Sequence, residues 1–224
     1  MRRTFIFNKN SSAATFSLVT TVQSTGNVTT NSFNSTGASA IIVVVVGGYS
    51  QGITDNKGNS YVTRNYVYNS TTLGYITIYD CLSPTVGAGH TITPSGTQYP
   101  SIFVYAVNKT DGSAVVFDTS SAGFNAGNVT NGYIQPGSIT PSHQNELFIQ
   151  GAFLYSATGA VSVDSGFSGA SLGNSFYTNF TSSVNYAGCS AYLMQTGGAT
   201  TAENPTSSFS VGSRYTMDTM VSYH

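Results

Sequence analysis

The sequence predicts an all-β chain, a two-sheet antiparallel β-sandwich that is jelly-roll-like. Three observations carry this. No segment keeps a helical period. The apolar runs are short and cut at close spacing by Gly, Ser, Asn and Thr. The run Ile41-Ile-Val-Val-Val-Val46, closed by Gly47-Gly48, is apolar without alternation. Such consecutive β-branched residues suit a helix poorly, because they lose side-chain freedom against the preceding turn. A bilayer span needs about 18 or more apolar residues, so the run is too short to cross one. A central strand covered on both faces fits, since continuous apolarity leaves neither face for water. Its burial contributes on the order of 10 kcal/mol, an upper figure because a denatured chain is already partly compact.

The elements follow in order. Ala14 to Val22 is a first long strand, and Gly26 to Gly37 a polar connection or an edge strand. After the Ile41–Val46 strand, Thr54-Asp-Asn-Lys-Gly-Asn-Ser60 gathers residues that tolerate left-handed backbone, and predicts a turn. Tyr61 to Tyr68 and Leu73 to Leu82 alternate. In the second, Tyr75, Thr77, Tyr79 and Cys81 face one way, and Ile76, Ile78 and Asp80 the other. His90 to Thr93 and Ser101 to Val107 are further strands, the latter opened by Pro100. Asp111 to Gly132 is small and polar around Val115-Val116-Phe117, which predicts a long excursion. Ile134 to Thr140 is a short strand, Glu146 to Leu154 a core strand and Ala160 to Val163 a hairpin candidate. Ala187 to Gln195 returns to the core, and Arg214 to Tyr223 closes the sandwich. No linker and no fixed-period repeat divides the chain, so residues 1–224 are expected to form a single domain, with 1–22 serving docking or oligomer contact.

Charged residues are 7% of the 224, against about 25% in ordinary soluble proteins, and the net charge is −1. Hydrophobic residues at 40% and aromatics at 12% are enough for a sizeable core and too many for a disordered chain. So little charge gives weak repulsion between copies, and self-association is expected. Seven Lys and Arg scattered along the chain make no basic patch, which excludes a nucleic-acid partner. Met1-Arg2-Arg3-Thr4-Phe5-Ile6-Phe7 begins like a signal peptide, but Asn8-Lys9-Asn10 ends its apolar stretch too early. Synthesis and retention in a cytoplasm are expected, with lysis as the exit and no membrane partner. Cys81 and Cys189 lie in apolar strand-like runs, and two buried free thiols are expected rather than a disulfide.

Catalytic patterns are absent. No nucleophile elbow stands between a strand and a helix. His90 at a strand start and His143 in a turn read as solvated or backbone-bonded rings, and His224 as a mobile terminus. A glycosidase needs two carboxylates about 5–10 Å apart, and no local pair announces one. Asp55-Asn-Lys-Gly-Asn59 resembles a calcium loop superficially, but it lacks alternating carboxylates and a distal Glu, and a tight turn explains each residue. No His/Cys cluster has zinc spacing. The expectation is a non-enzymatic protein without metal or cofactor.

Carbohydrate recognition competes with a purely structural role. Fifteen Tyr, thirteen Phe and abundant Asn supply rings beside amides, although Trp is absent. The Gly-, Ser- and Asn-rich stretch Asp164 to Ser183 is the candidate loop, with Phe167, Phe176, Tyr177 and Phe180 as candidate ligand-binding rings.

Several segments carry a family resemblance. They are Asp55-Asn-Lys-Gly-Asn-Ser-Tyr61, Ile78-Tyr-Asp-Cys-Leu-Ser-Pro-Thr-Val-Gly-Ala-Gly-His-Thr-Ile-Thr93 and Tyr99-Pro-Ser-Ile-Phe-Val-Tyr105. Gly137-Ser-Ile-Thr-Pro-Ser-His-Gln-Asn-Glu-Leu147 and Val161-Ser-Val-Asp-Ser-Gly-Phe167 continue them in the same order. Together they resemble a family of phage and prophage-associated β-sandwich proteins of the virion surface, over about Ala38 to Thr196. The resemblance implies a bacteriophage virion component, a capsid decoration or head fibre subunit, made in the host cytoplasm and released by lysis. Its implied partners are other copies of itself and capsid or other virion proteins, with a host-surface glycan under the lectin-like alternative. It carries over no catalytic residues.

Overall fold

The computed structural model describes residues 15–25, 29–48, 52–70, 74–96, 98–125, 133–155, 161–163, 167, 178–180, 184–196, 201–209 and 215–224. Within them every regular element is a strand, and no helix is long and apolar enough to cross a membrane.

The Ile41–Val46 run lies where its apolarity requires. It belongs to β2 (Ala40–Gly48), the middle strand of a five-stranded antiparallel sheet. The sheet order is β1 (Phe16–Thr25), β7 (Gln98–Lys109), β2, β5 (Gly74–Cys81), β4 (Val62–Asn69). Ile42, Val44 and Val46 point toward the second sheet, while Ile41, Val43 and Val45 point outward under a covering layer. All six are at most 2% exposed. The second sheet runs β12 (Thr178–Phe180), β13 (Val184–Met194), β10 (Leu147–Tyr155), β15 (Tyr215–Tyr223), β8 (Phe117–Asn125). Two small sheets complete the described residues: β3 (Gly52–Asp55) with β6 (Ile92–Ser95), and β11 (Val161–Val163), β14 (Ser207–Phe209), β9 (Tyr133–Ile134).

The two halves of the chain share one connectivity. In a jelly roll the first, eighth, third and sixth strands form one sheet, and the second, seventh, fourth and fifth the other. The N-terminal half fills the first set with β1, β7, β2 and β5. Its second set is the bridge from Phe33 to His90, then β6 and β3. The C-terminal half repeats this with β8, β15, β10 and β13, and with β9, β14 and β11. The bridge from Ile139 to Glu203 matches that from Phe33 to His90. In both halves the fifth strand, β4 or β12, departs from the winding and extends the larger sheet beside its sixth. The jelly-roll winding thus lies within each half, and the sequence reading of no repeat gives way to a topological one.

The larger sheets pack face to face in reversed order, β2 over β10 and β4 over β8. Their shared core joins Ile42, Val44, Ile76 and Phe103 of one half to Ile149, Phe153, Met217 and Val221 of the other. The outer faces are covered in part. Phe33 and Ile92 close over Ile41, Val43 and Val45, and Ile134, Ile139 and Phe167 close over Phe148 and Met220.

The expected excursion from Asp111 to Gly132 contains β8, an edge strand. Among the described residues it pairs with β15 alone, so its Asp-Thr-Ser-Ser sequence has no second neighbour there to satisfy. β3 overlaps the expected turn at Thr54 and Asp55, and β14 falls in a stretch the sequence reading leaves unassigned, because three or four paired residues are too few to show a period. The Ala160–Val163 hairpin candidate pairs instead with β14, distant in sequence. Cys81 and Cys189 are buried free thiols, as expected, and burial pushes Cys189 up to about 12.

Candidate functional site

Three places gather polar or aromatic side chains. The first is the Asp55 turn. Asp55 Oδ1 accepts the backbone N–H groups of Lys57 at 3.0 Å and Asn59 at 2.9 Å. Oδ2 accepts Asn59 Nδ2 at 2.6 Å and Tyr61 Oη at 2.8 Å, and lies 2.8 Å from His90 Nε2. Burial alone would raise this carboxyl, yet the hydrogen bonds from Asn59, His90 and Tyr61 outweigh it and hold the group at about 2. His90 is therefore not the solvated or backbone-bonded ring expected. It is fully buried between Asp55 and Ser35, whose Oγ lies 2.9 Å from Nδ1, and it stacks on Phe33 at 4.9 Å. These bonds fasten the outer layer to itself. The chain's own donors occupy both oxygens, and no face of the carboxylate is left for a cation.

The second place is aromatic. Among the rings expected to bind a ligand, Phe167 is only 5% exposed and packs in the outer cluster with Ile134 and Met220. A ring shut in this way offers no face to a sugar. Its sequence neighbours are small and polar, which made it look exposed. Phe180 ends β12, whose side chains lie outside the description, and Phe176 and Tyr177 lie outside the described residues. Another platform does present itself. Tyr66 and Tyr68 alternate on β4, and Tyr75 stands opposite Tyr68 on β5. All three point outward, because their neighbours Val67 and Ile76 point into the core. The Tyr68 and Tyr75 rings stack at 4.4 Å, and Tyr66 follows at 6.5 Å, 61% exposed.

The third place is the end of the second sheet where β8, β10 and β15 finish together. Asp118 is the second residue of β8, Glu146 precedes β10, and His224 follows β15, exchanging both backbone hydrogen bonds with Val116. The bend from Ser142 to Asn145 lies among them, and Asn145 takes the left-handed backbone (φ 61°) that turns the chain into β10. Ser142 donates from its N–H at 3.0 Å and its Oγ at 2.6 Å to the Asp118 carboxylate. Ser142 Oγ also lies 2.7 Å from His143 Nδ1, and the His143 N–H donates to Glu146 Oε1 at 3.0 Å. The His143 and His224 rings stack at 3.5 Å. Burial would raise Asp118, but the Ser142 bonds hold it below its usual range. Burial raises Glu146, and the neighbouring Asp118 charge adds to that. Burial and the His143 charge together lower His224. A serine relay needs the two ring nitrogens in separate roles. Here Ser142 and Glu146 both meet Nδ1, at 2.7 and 4.0 Å, so the group does not form one.

The sequence shows part of this cluster, since Ser142, His143 and Glu146 share one bend. Asp118 and His224 join only through the strand order.

No protein-family model matches the chain, and no curated protein matches it. Among solved structures the chain is similar to the STIV MCP, a viral major capsid protein, at 10% identity and a TM-score of 0.27. The match covers 94% of this chain and 96% of that one. A likeness at that score carries no argument, so the fold stands on its strand order.

Proposed function

We propose that the protein is a non-enzymatic structural subunit of a bacteriophage virion, displayed on the particle surface as a capsid decoration or head fibre subunit. The observation that carries this reading is where the charges go. Every described carboxylate and cation is tied to another part of the chain. Asp55, Asp80, Asp118, Glu146, Glu203 and Asp218 all accept internal hydrogen bonds. Asp111 caps its own turn, Arg64 binds Asp80, and Lys57 and Lys109 donate to backbone carbonyls. The charged groups lock loops, and hydroxyls and amides are left to hydrate the outside. Such a surface repels its own copies weakly and suits close packing in a lattice.

Two further features support the reading. The segments named above resemble a phage-associated family. Jelly-roll winding also serves capsid proteins and lectins, although winding alone does not select a function. In this account the rigid double layer supplies shape, and residues 1–22 supply docking or oligomer contact. Mass spectrometry of density-purified particles, from a lysate of the strain carrying the gene, tests it. Stoichiometric recovery with the capsid supports the role, and recovery only in the soluble fraction ends it.

A second reading, a lectin-like module for a host-surface glycan, is favoured by the Tyr66–Tyr75–Tyr68 platform. Stacked, outward rings on a rigid sheet suit the apolar face of a sugar. Saturable binding on a glycan array, lost in Tyr66→Ala, would support it. An array without signal would remove it.

A further inference from the structure

We propose that Asp118, His143 and Glu146 form a binding site for a divalent cation of the zinc class. Each of the three offers one ligand atom, and these atoms lie within 4.8 Å of one another. Zinc takes nitrogen and oxygen ligands at about 2.0–2.2 Å, so a modest closure of the triangle brings all three into reach. The closing movement falls to His143, whose side chain is 52% exposed, while Glu146 is fixed and fully buried. Three protein ligands leave a fourth position for water. An imidazole among the ligands selects against magnesium and calcium, which prefer oxygen alone.

A second observation points to a ligand independently. Among the described residues Glu146 Oε2 is buried without a hydrogen-bond partner, on the side chain that faces this cluster. A cation among the three side chains would supply that buried oxygen with the partner it lacks. The surroundings are also those of a supported site. Ser142 fixes the Asp118 carboxylate through two hydrogen bonds, and the His224 ring stacks along the face of His143. Outer partners of this kind orient ligands and tune affinity.

The test is calorimetric titration of zinc chloride alone into the full chain at pH 7.5, with magnesium and calcium chlorides as comparisons. The expected result is one zinc ion per chain, no comparable heat from magnesium or calcium, and affinity weakened about tenfold or more in His143→Ala and in Asp118→Asn. Binding should weaken as the pH falls, because protons compete for the ligands. His143→Ala changes an exposed side chain, and an unchanged far-ultraviolet spectrum without metal separates lost binding from lost folding. Absence of zinc heat at millimolar metal would overturn the site. Undiminished binding by His143→Ala would overturn it equally, by placing the ion elsewhere.

Discussion

Val44 of β2 sits directly over Gly151 of β10: a Cβ on that glycine would stand 2.6 Å from Val44 Cγ1. These are equivalent strands of the two halves, the third of each jelly roll, so a close approach of the sheets falls where the repeat meets itself. Gly188 does the same for Val46, with 2.7 Å between a built Cβ and Cγ1. The glycines are hollows in one sheet, and the valines of the β-branched run fill them.

Gly151→Ala should therefore destabilise the fold by about 1–3 kcal/mol through overpacking, although alanine suits a strand better than glycine does. Adding Val44→Ala should recover part of that loss, with a coupling of about 0.5–3 kcal/mol in a double-mutant cycle. Urea denaturation of the four proteins measures it. Additive losses would mean that the two residues do not touch.

The Asp55 turn predicts a pH dependence. Its folded value of about 2 lies below the ordinary 3.8. The stability it contributes is fully present above about pH 4 and is lost as the pH falls toward 2. Asp55→Asn should cost about 2–3 kcal/mol at pH 7, because hydrogen bonds to a charged group are replaced by weaker ones. The gap between wild type and variant should then close between pH 4 and pH 2. A gap that ignores pH would place the loss in packing instead.

Asp218 predicts the opposite sign. It is fully buried on β15 and accepts hydrogen bonds from Gln150 Nε2 at 2.7 Å and Ser207 Oγ at 3.1 Å, while Oδ1 has no partner among the described residues. Burial pushes its carboxyl well above the usual range, more than those two bonds lower it. The folded chain therefore holds a proton that the unfolded chain releases, and stability falls as the pH rises above about 4. Asp218→Asn keeps the acceptor oxygen and carries no ionisable group. The variant should gain on wild type as the pH rises above about 4, read as urea midpoints. Parallel curves would contradict the buried, proton-holding acid.

What was legible in the sequence was whatever a strand shows by itself. β2 is buried on both faces and reads as a continuous apolar run, β10 is apolar apart from Gln150 and Gly151, and β5 shows its alternation in Ile76 and Ile78 against Tyr75 and Thr77. β8 was missed because an edge strand tolerates polar residues, and β14 because three residues carry no period. The repeat left no trace at all. Winding constrains which strands pair, and it is met by Val-rich β2 and Gly-containing β10 alike. The site followed the same rule. The bend from Ser142 to Glu146 was visible, whereas its partners Asp118 and His224 arrive from far along the chain. Tyr66, Tyr68 and Tyr75 were read only as strand tyrosines, since the boundary of the covering layer leaves no mark in sequence.

Cryo-electron microscopy of purified particles tests the central claim most directly. The account predicts density for paired jelly rolls at symmetric positions on the particle exterior, each copy touching another copy or a capsid subunit. Mature particles bare of this density, together with a monodisperse single chain in solution at high concentration, would contradict it.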